Sequence, residues 1–549
     1  MPFNVALNLD AFAVQNPDTA PPAINAIYLR DGKYDGMTRA DVAASFAAFK
    51  AQTNVQRLAL FFHGGLVDKA WGQQGAANQY LAYKDHVFPL FFIWESGIWE
   101  LLAHHLPLVF AETIFGRIVK HVLDLLLSKS QQGQVAAAGP VGAARFEVFE
   151  PSLNSTDPSL TSATLTSADI DAFMAAVRDD PAIQQEAAAI ARTSQGVDAL
   201  LATDANSKIL QLSSRTYLSP EVVSAIRGAY ARDRQNIASG QRMDQLDFNP
   251  LAALRAAWEV AKAAVPVIIN CFERFAKGRD HGRTCTIVEE VLRALYLANT
   301  GSAIWDETKQ ETEDAFGADS SVYGGTAVIE ELCALLKQKP ETPITLVGHS
   351  AGAIYIGNFL DHVDLALKVQ GDSTTKFDIL LLAPASTMDF HAENYKNRVR
   401  GVRIFQMQDA IEQQDHLMSK DYGPDDDSIL GKIYPRSLLY LVSGICEYFE
   451  GQNGSGPHAL DGDDMPILGM DRFFAQTTVF TAANYPNIGQ ARTQFAVAPP
   501  PAATKYVRVL SPTAKTPNDG LRSTAQKHGD FPGDGPTIES LKICFDNGL

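Results

Sequence analysis

The stretch from Pro343 to Gly352 constrains the fold more than any other part of the chain. Its apolar, mostly β-branched run Ile344–Val347 predicts a buried strand, and Gly348-His349-Ser350-Ala351-Gly352 follows at once. The apolar residues after Gly352 suit a helix packed on a sheet. Strand, G-x-S-x-G and helix together predict a nucleophile elbow, in which a serine sits on a strained turn with its hydroxyl exposed. The alternative is a glycine-rich turn in which Ser350 only caps the helix.

Both glycines of this motif have a predicted steric role. A Cβ at Gly348 or Gly352 would crowd the neighbouring strand and helix, so we expect neither position to accept another residue. A serine nucleophile also needs an oxyanion hole, a histidine and an acid, which the rest of the chain must supply.

Seven further apolar runs have the length of a strand. They are Val5–Leu9, Ala26–Leu29, Leu58–Phe62, Val87–Trp94, Ile379–Ala383, Val402–Gln406 and Tyr506–Leu510. With the run before Ser350 they make eight, and helical patterns fill most of the gaps. This alternation predicts an α/β fold with an eight-stranded, mostly parallel sheet flanked by helices.

The chain between the fourth and fifth predicted strands is different. From Ile98 to Val322 no segment predicts a strand and helical patterns dominate, so we predict an all-helical insertion over 98–322 in an α/β domain formed by 1–97 and 323–549. Its first part, Ile98–Ser128, carries Trp99, Phe110 and Phe115 and is a candidate interfacial lid. The alternative is that these apolar residues form the insertion's own core.

Charge and cysteine content limit the partners and the compartment. The formal net charge is −17, which argues against a nucleic-acid partner and gives no support to contact with an anionic membrane surface. Five scattered cysteines without a C-x-x-C pair suit reduced thiols in the cytoplasm, and the N-terminus has no signal-peptide pattern. No cofactor or metal motif is predicted, since the acidic runs 425–427 and 461–464 lack the calcium-loop pattern and fit solvated loops better.

Candidate oxyanion donors lie in two places. His63-Gly64-Gly65-Leu66 directly follows the buried strand Leu58–Phe62, and its paired glycines would let the backbone approach a reacting carbonyl closely. The main-chain N–H groups of Gly65, Leu66 and Ala351 are the predicted donors.

The predicted base is His528, because it is the only histidine between the last strand and the closing helix. His349 adjoins the serine, but the elbow is expected to point it away. The predicted acid is Asp409, the first carboxylate after the strand Val402–Gln406, with Asp415 as the alternative. The simpler interpretation of either acid is a first-turn residue that favours a helix dipole.

The chain carries, in this order, His63-Gly64-Gly65, Gly348-His349-Ser350-Ala351-Gly352, Asp409 and His528. In this order and in the strands that these residues follow, it resembles the α/β-hydrolase superfamily over residues 1–97 and 323–549. The resemblance implies a Ser–His–Asp hydrolase with a helical cap inserted after the fourth strand, although caps in this superfamily more often enter after the sixth. The expected activity is hydrolysis of a small-molecule or lipid carboxylic ester, with a lipase- or phospholipase-like enzyme as its sharper form. Thioesterase, peptidase and acyltransferase chemistry use the same residues, and a non-catalytic binding or scaffold protein is the alternative from another class.

Overall fold

A computed structural model describes residues 20–65, 69–94, 106–129, 164–192, 216–236, 250–296, 301–416, 434–447, 464–498, 504–513 and 519–549. Within these ranges the chain forms one nine-stranded sheet. The strands are β1 (Ala26–Arg30), β2 (Lys33–Tyr34), β3 (Leu58–Phe62), β4 (Phe88–Trp94), β5 (Ile344–His349), β6 (Phe377–Leu382), β7 (Val399–Met407), β8 (Ala496–Val497) and β9 (Tyr506–Ser511).

The sheet is parallel apart from one edge. Its order is β2-β1-β4-β3-β5-β6-β7-β9-β8, and only the pair β1 and β2 is antiparallel. Helices supply the long crossover connections that parallel neighbours need for most of the sheet, while β8 and β9 are consecutive strands in the chain. Every residue of β3, β4 and β6 is buried, as expected for a parallel sheet covered on both faces. The predicted α/β class and mostly parallel sheet are therefore confirmed.

The predicted strand count of eight was wrong for the described residues. Seven of the eight predicted runs coincide with strands, while Val5–Leu9 lies outside the described residues. The sequence missed β2 and β8, which have two residues each. Two residues are too few to show an alternating or continuously apolar pattern, so such edge strands leave no sequence signal.

Eighteen α-helices accompany the sheet in the described residues. They are α1 (Arg39–Ala51), α2 (Lys69–Tyr83), α3 (Leu106–Phe110), α4 (Thr113–Lys129), α5 (Ser167–Asp179), α6 (Pro181–Arg192), α7 (Pro220–Asn236), α8 (Pro250–Lys277), α9 (Arg283–Val291), α10 (Gly301–Asp314), α11 (Gly324–Gln338), α12 (Gly352–Val369), α13 (Met388–Asn394), α14 (Asp409–Glu412), α15 (Leu438–Leu441), α16 (Asp471–Ala475), α17 (Pro486–Gln494) and α18 (Gly535–Asn547). A π-helical turn, Leu292–Tyr296, continues α9, and another, Val442–Cys446, continues α15.

Helices alone occupy the described part of the chain between β4 and β5, as the sequence predicted. The long helix α8 packs against α5, α6, α7 and α9. Alanines recur on its buried face and allow close helix approach: Ala253, Ala256, Ala257, Ala261 and Ala264. Phe110 and Phe115 are 1% and 0% exposed and their rings lie 4.9 Å apart, so both are core residues here, as the alternative to an interfacial lid predicts. Trp99 lies outside the described residues.

None of the helices in the described ranges has both the length and the hydropathy needed to cross a bilayer.

Candidate functional site

Ser350 occupies a strained turn between β5 and α12. Its φ is +53°, in the left-handed region that costs a residue with a Cβ roughly 1–2 kcal/mol. The turn is held in place by main-chain hydrogen bonds: the Ser350 N–H donates to the Leu382 carbonyl at 2.9 Å, and the Ser350 carbonyl accepts from the Ala385 N–H at 3.0 Å. Strain that is held in this way is typical of functional turns.

The two glycines of the motif have no room for a side chain. A Cβ on Gly348 would lie 2.8 Å from the Ile356 side chain and 2.9 Å from the Gly352 carbonyl carbon. A Cβ on Gly352 would overlap the carbonyl oxygen of Phe62 at the end of β3. The expectation that neither position accepts a Cβ is therefore confirmed, because each glycine lets the elbow approach an adjoining element.

The loop after β3 reaches the same place. A Cβ on Gly64 would lie 3.0 Å from the Cβ of Ser350, so this loop is in direct contact with the elbow. Gly65 is buried in the loop, whereas Leu66 lies outside the described residues. Ala351 is the N-cap residue of α12, and within the described residues its N–H has no hydrogen-bond acceptor. Main-chain N–H groups at a helix N-terminus favour negative charge.

The side chain of His63 stabilises the loop after β3. Its Nδ1 donates to the Gly64 carbonyl at 2.7 Å, its Nε2 accepts from the Trp94 N–H at 3.1 Å, and its ring stacks on the Trp94 indole. Burial lowers the pKa of His63 to about 4, which keeps the imidazole neutral near pH 7. A neutral imidazole that uses both nitrogens in this way fixes the loop and has no proton left to exchange.

His528 lies against the elbow and is only 5% exposed. Its main-chain N–H donates to Asp415 Oδ2 at 2.7 Å and its carbonyl accepts from His349 Nε2 at 3.0 Å. Neither nitrogen of the imidazole has a hydrogen-bond partner in the described structure. Burial, reinforced by His349, lowers the pKa of His528 well below its ordinary value. The backbone of His528 is therefore held at both sides while its side chain is not.

The prediction that His349 points away was wrong. Its ring lies 5.1 Å from the ring of His528, centroid to centroid, and its Nε2 binds the His528 carbonyl. The two residues are 179 positions apart in the chain, so no local sequence pattern could have revealed the contact.

The two predicted acids have different surroundings. Asp409 begins α14, where its Oδ1 accepts from the Tyr440 hydroxyl at 2.7 Å and its Oδ2 from Gln413 Nε2 at 2.9 Å. Asp415 is 7% exposed and contacts the main chain of His528. Of the two, only Asp415 has a described hydrogen bond to His528.

A third carboxyl group, Glu412, lies between them in sequence. It is 1% exposed and accepts from the Ser437 hydroxyl at 2.5 Å. Burial raises the pKa of Glu412 well above its ordinary value, and the charges of Asp415 and Asp409 add to this effect. The protonated form of Glu412 is therefore favoured by its surroundings.

These contacts bring Ser350, Gly64, His349, His528 and Asp415 together at the carboxyl ends of β3 and β5. No hydrogen bond joins Ser350 to His528 in the described structure, and Ser350 is 3% exposed. The contacts form one connected chain, in which Gly64 and His349 adjoin Ser350 and His528 is joined to this turn through His349.

A separate set of charged residues is buried between the helical segment and the C-terminal part of the chain. We call Arg274, His281, Glu289, Glu290, Arg293 and Asp464 the ionic cluster. His281 lies 2.7 Å from Glu289 through Nδ1 and 2.9 Å from Asp464 through Nε2. Arg274 contacts Glu289, Glu290 and Asp464 at 2.7, 2.9 and 2.9 Å. The interpretation of Asp464 as a solvated loop residue was wrong, since it is fully buried.

The ionic cluster contains the ligand types of a metal site but does not fit a metal. His281, Glu289 and Asp464 each offer a ligand atom, and these atoms lie within 4.8 Å of one another. Each imidazole nitrogen of His281 lies within 2.9 Å of a carboxylate oxygen, so neither nitrogen is open to an ion. Three arginines, Arg274, Arg293 and Arg472, already lie within 4 Å of the three carboxylates, so a divalent cation would add uncompensated positive charge.

An open groove of about 350 Å³ lies elsewhere, between α10 and α12, and is lined by Asp306, Lys309, Gln310, Glu313, Ile354, Asn358 and Phe390. Neither Ser350 nor His528 lines it. Because the groove is not lined by the candidate catalytic residues, it is not part of the candidate site.

Comparison of the chain with protein-family models, with curated proteins and with solved structures found no match.

Proposed function

We propose that the protein is a serine hydrolase that cleaves carboxylic esters, with Ser350 as the nucleophile. The observation that carries the proposal is the turn itself: a serine at φ +53°, between a buried strand and a helix, with no room for a Cβ at Gly348 or Gly352. A serine with its backbone in the left-handed region is strained. Here two adjoining elements and main-chain hydrogen bonds maintain that conformation.

The reaction follows from the groups around the turn. His528 accepts the hydroxyl proton of Ser350 as the oxygen attacks the ester carbonyl, and the tetrahedral intermediate collapses to an acyl-enzyme ester. His528 returns that proton to the departing alcohol. Water then attacks the acyl-enzyme with His528 as the base, and the carboxylic acid leaves with Ser350 restored. The main-chain N–H of Ala351, with that of Gly65 or Leu66, meets the negative oxygen in both steps.

Asp415 is the better supported acid. A carboxylate must lie beside the imidazole in order to orient it and stabilise its charged form. Asp415 already contacts the main chain of His528, whereas the oxygens of Asp409 are bound to Tyr440 and Gln413. Asp409 remains the alternative.

The finer fold that we propose is that of an α/β-hydrolase. Support comes from the glycine loop after β3, which contacts the elbow after β5, and from β3 and β6 as the two neighbours of β5. The described helices between β4 and β5 would form a cap. Because Ser350 is 3% exposed, substrate entry requires part of the chain around the site to move.

A non-catalytic binding protein is the second candidate. The observation that favours it is the imidazole of His528, whose nitrogens have no partner in the described structure. A protein that had kept the fold and lost the reaction would not need this side chain to be bound to Ser350.

A fluorophosphonate probe separates the two candidates. We expect it to label the wild type and Ser386→Ala but not Ser350→Ala. Ser386 is a matched control because it is a buried serine whose hydroxyl has no partner in the described structure. Absence of wild-type labelling would favour the binding protein.

Acyl-chain preference tests the sharper form of the proposal. Rates on p-nitrophenyl esters of increasing chain length should be measured with Ser350→Ala as the background. A sharp loss beyond short acyl chains would exclude the lipase- or phospholipase-like form and leave a small-molecule esterase.

A further inference from the structure

The main chain of His528 is held from two sides by side chains of distant segments. The His528 N–H donates to Asp415 in the loop after α14, and the His528 carbonyl accepts from His349 at the end of β5. His349 immediately precedes Ser350, so one hydrogen bond joins the loop of the base directly to the strand of the nucleophile.

The protonation state of His349 is fixed by its partners. A carbonyl oxygen only accepts hydrogen bonds, so Nε2 of His349 carries the proton. Burial lowers the pKa of His349 to about 4, and the ring is therefore a neutral donor near pH 7. Its bare Nδ1 faces the loop after β3, where a Cβ on Gly64 would lie 3.0 Å away. His349 therefore contacts the loop of the base on one side and the glycine loop on the other.

In this arrangement the backbone of His528 is held by hydrogen bonds, whereas its imidazole is not. The hydrogen bonds reach the peptide groups on either side of the Cα, while the imidazole nitrogens have no partner within the described residues. The hydrogen bonds therefore set the position of the His528 backbone without fixing the orientation of its imidazole. A shift of the loop would misplace the base, and misplacement by about 1 Å costs on the order of 10²-fold in rate.

We propose that His349 is a positioning residue that sets the distance between His528 and Ser350 through the His528 carbonyl. This inference rests on the proposed function. It predicts that the donor at Nε2 matters and that the imidazole as such does not. Glutamine places an N–H donor at a similar distance along its side chain, whereas leucine fills a similar volume without a donor.

The test compares His349→Leu with His349→Gln in ester hydrolysis. We expect His349→Leu to lower kcat by roughly 10–100-fold, because misplacement of a reacting group by about 1 Å costs on the order of 10²-fold, with KM changed by less than about twofold. We expect His349→Gln to recover most of the loss. His391→Leu is the matched control, since His391 is also a buried imidazole with its pKa lowered to about 4, and we expect it to leave kcat unchanged.

Hydrogen exchange of the segment 526–531 supplies a readout that does not depend on activity. We expect faster exchange there in His349→Leu and wild-type exchange in His349→Gln. If the wild type is labelled by the probe and His349→Leu keeps wild-type kcat and exchange, this inference fails and the proposed function stands. If the wild type is not labelled, the proposed function fails and the inference fails with it. Equal losses of kcat in the leucine and glutamine variants would assign His349 a packing role and overturn the proposal.

Discussion

At the scale of single residues, the proposed activation of Ser350 depends on the charge of His528. The imidazole of His528 is buried beside His349. Burial and the neighbouring His349 both lower its pKa and so favour its neutral form. A general base must be neutral before it accepts a proton. A base with a lowered pKa is a weaker acceptor, but it stays available when the solution becomes mildly acidic.

The sign of the resulting pH dependence is fixed. A histidine is neutral at every pH above its pKa, so lowering that pKa extends the active form to lower pH. We expect the acid limb of kcat/KM for ester hydrolysis to lie below about pH 6.5, the ordinary imidazole value. Rates should be measured from about pH 4.5 to 8 with Ser350→Ala hydrolysis subtracted at each pH. A limb at or above the ordinary value would show that the imidazole is solvated in the active protein.

At the scale of elements, the elbow is a contact between β3, β5 and α12. The close approach of Gly352 to the Phe62 carbonyl joins the first turn of α12 to the end of β3. Main-chain atoms are on both sides of this contact, so an added methyl group cannot be accommodated by rotation of a side chain. Packing of the elements thus creates the requirement for glycine.

Gly352→Ala tests this contact. We expect it to destabilise the protein by about 1–3 kcal/mol, as forced overpacking does, and to lower the midpoint of urea unfolding. Gly75→Ala in α2 is the matched control, because no atom lies within 4 Å of the added Cβ. That substitution should be neutral or stabilising by about 0.5–1 kcal/mol, since alanine is the better helix former. Equal midpoints for the two variants would contradict the assigned role of Gly352.

Elements with a long apolar signal could be predicted from the sequence, and contacts between them could not. The runs that became β3 and β4 are continuously apolar because both faces of the sheet are covered, so their burial is visible in composition alone. The residue types of the candidate site were also visible, because strand, glycine and serine are adjacent in the chain. The contact of His349 with His528 spans 179 residues, and nothing near either histidine encodes it.

The burial of Asp464 likewise could not be predicted from the sequence around it. Asp464 follows glycine and two other acidic residues in Asp461-Gly462-Asp463-Asp464, a composition typical of solvated loops. Its burial depends on Arg274, which comes 190 residues earlier. A carboxylate can be buried at low cost only when it is paired with a cation. When that cation comes from a distant part of the chain, only the folded structure shows the pair.

At the scale of the whole molecule, the ionic cluster links the helices between β4 and β5 to the chain after β7. Arg274 lies on α8 and Glu289 on α9, while Asp464 and Tyr434 belong to the later segment. The Tyr434 hydroxyl donates to Glu289 at 2.5 Å. Burying these charges costs desolvation energy, which is offset only when every partner is present. The cluster therefore favours one relative placement of these two parts of the chain over any that would separate the charges.

Asp464→Asn removes one of the three carboxylates and leaves Arg274 and His281 with reduced compensation. We expect a loss of about 3–5 kcal/mol, the range for breaking a buried ion pair on one side, seen as a lower midpoint of urea unfolding. Asp85→Asn, at an exposed position, is the control and should change stability by less than about 0.5 kcal/mol. A double-mutant cycle of Asp464→Asn with His281→Gln should give a coupling energy of about 0.5–3 kcal/mol, because the two side chains are in contact. Additive effects would mean that the cluster is a set of independent pairs that does not link the helices between β4 and β5 to the chain after β7.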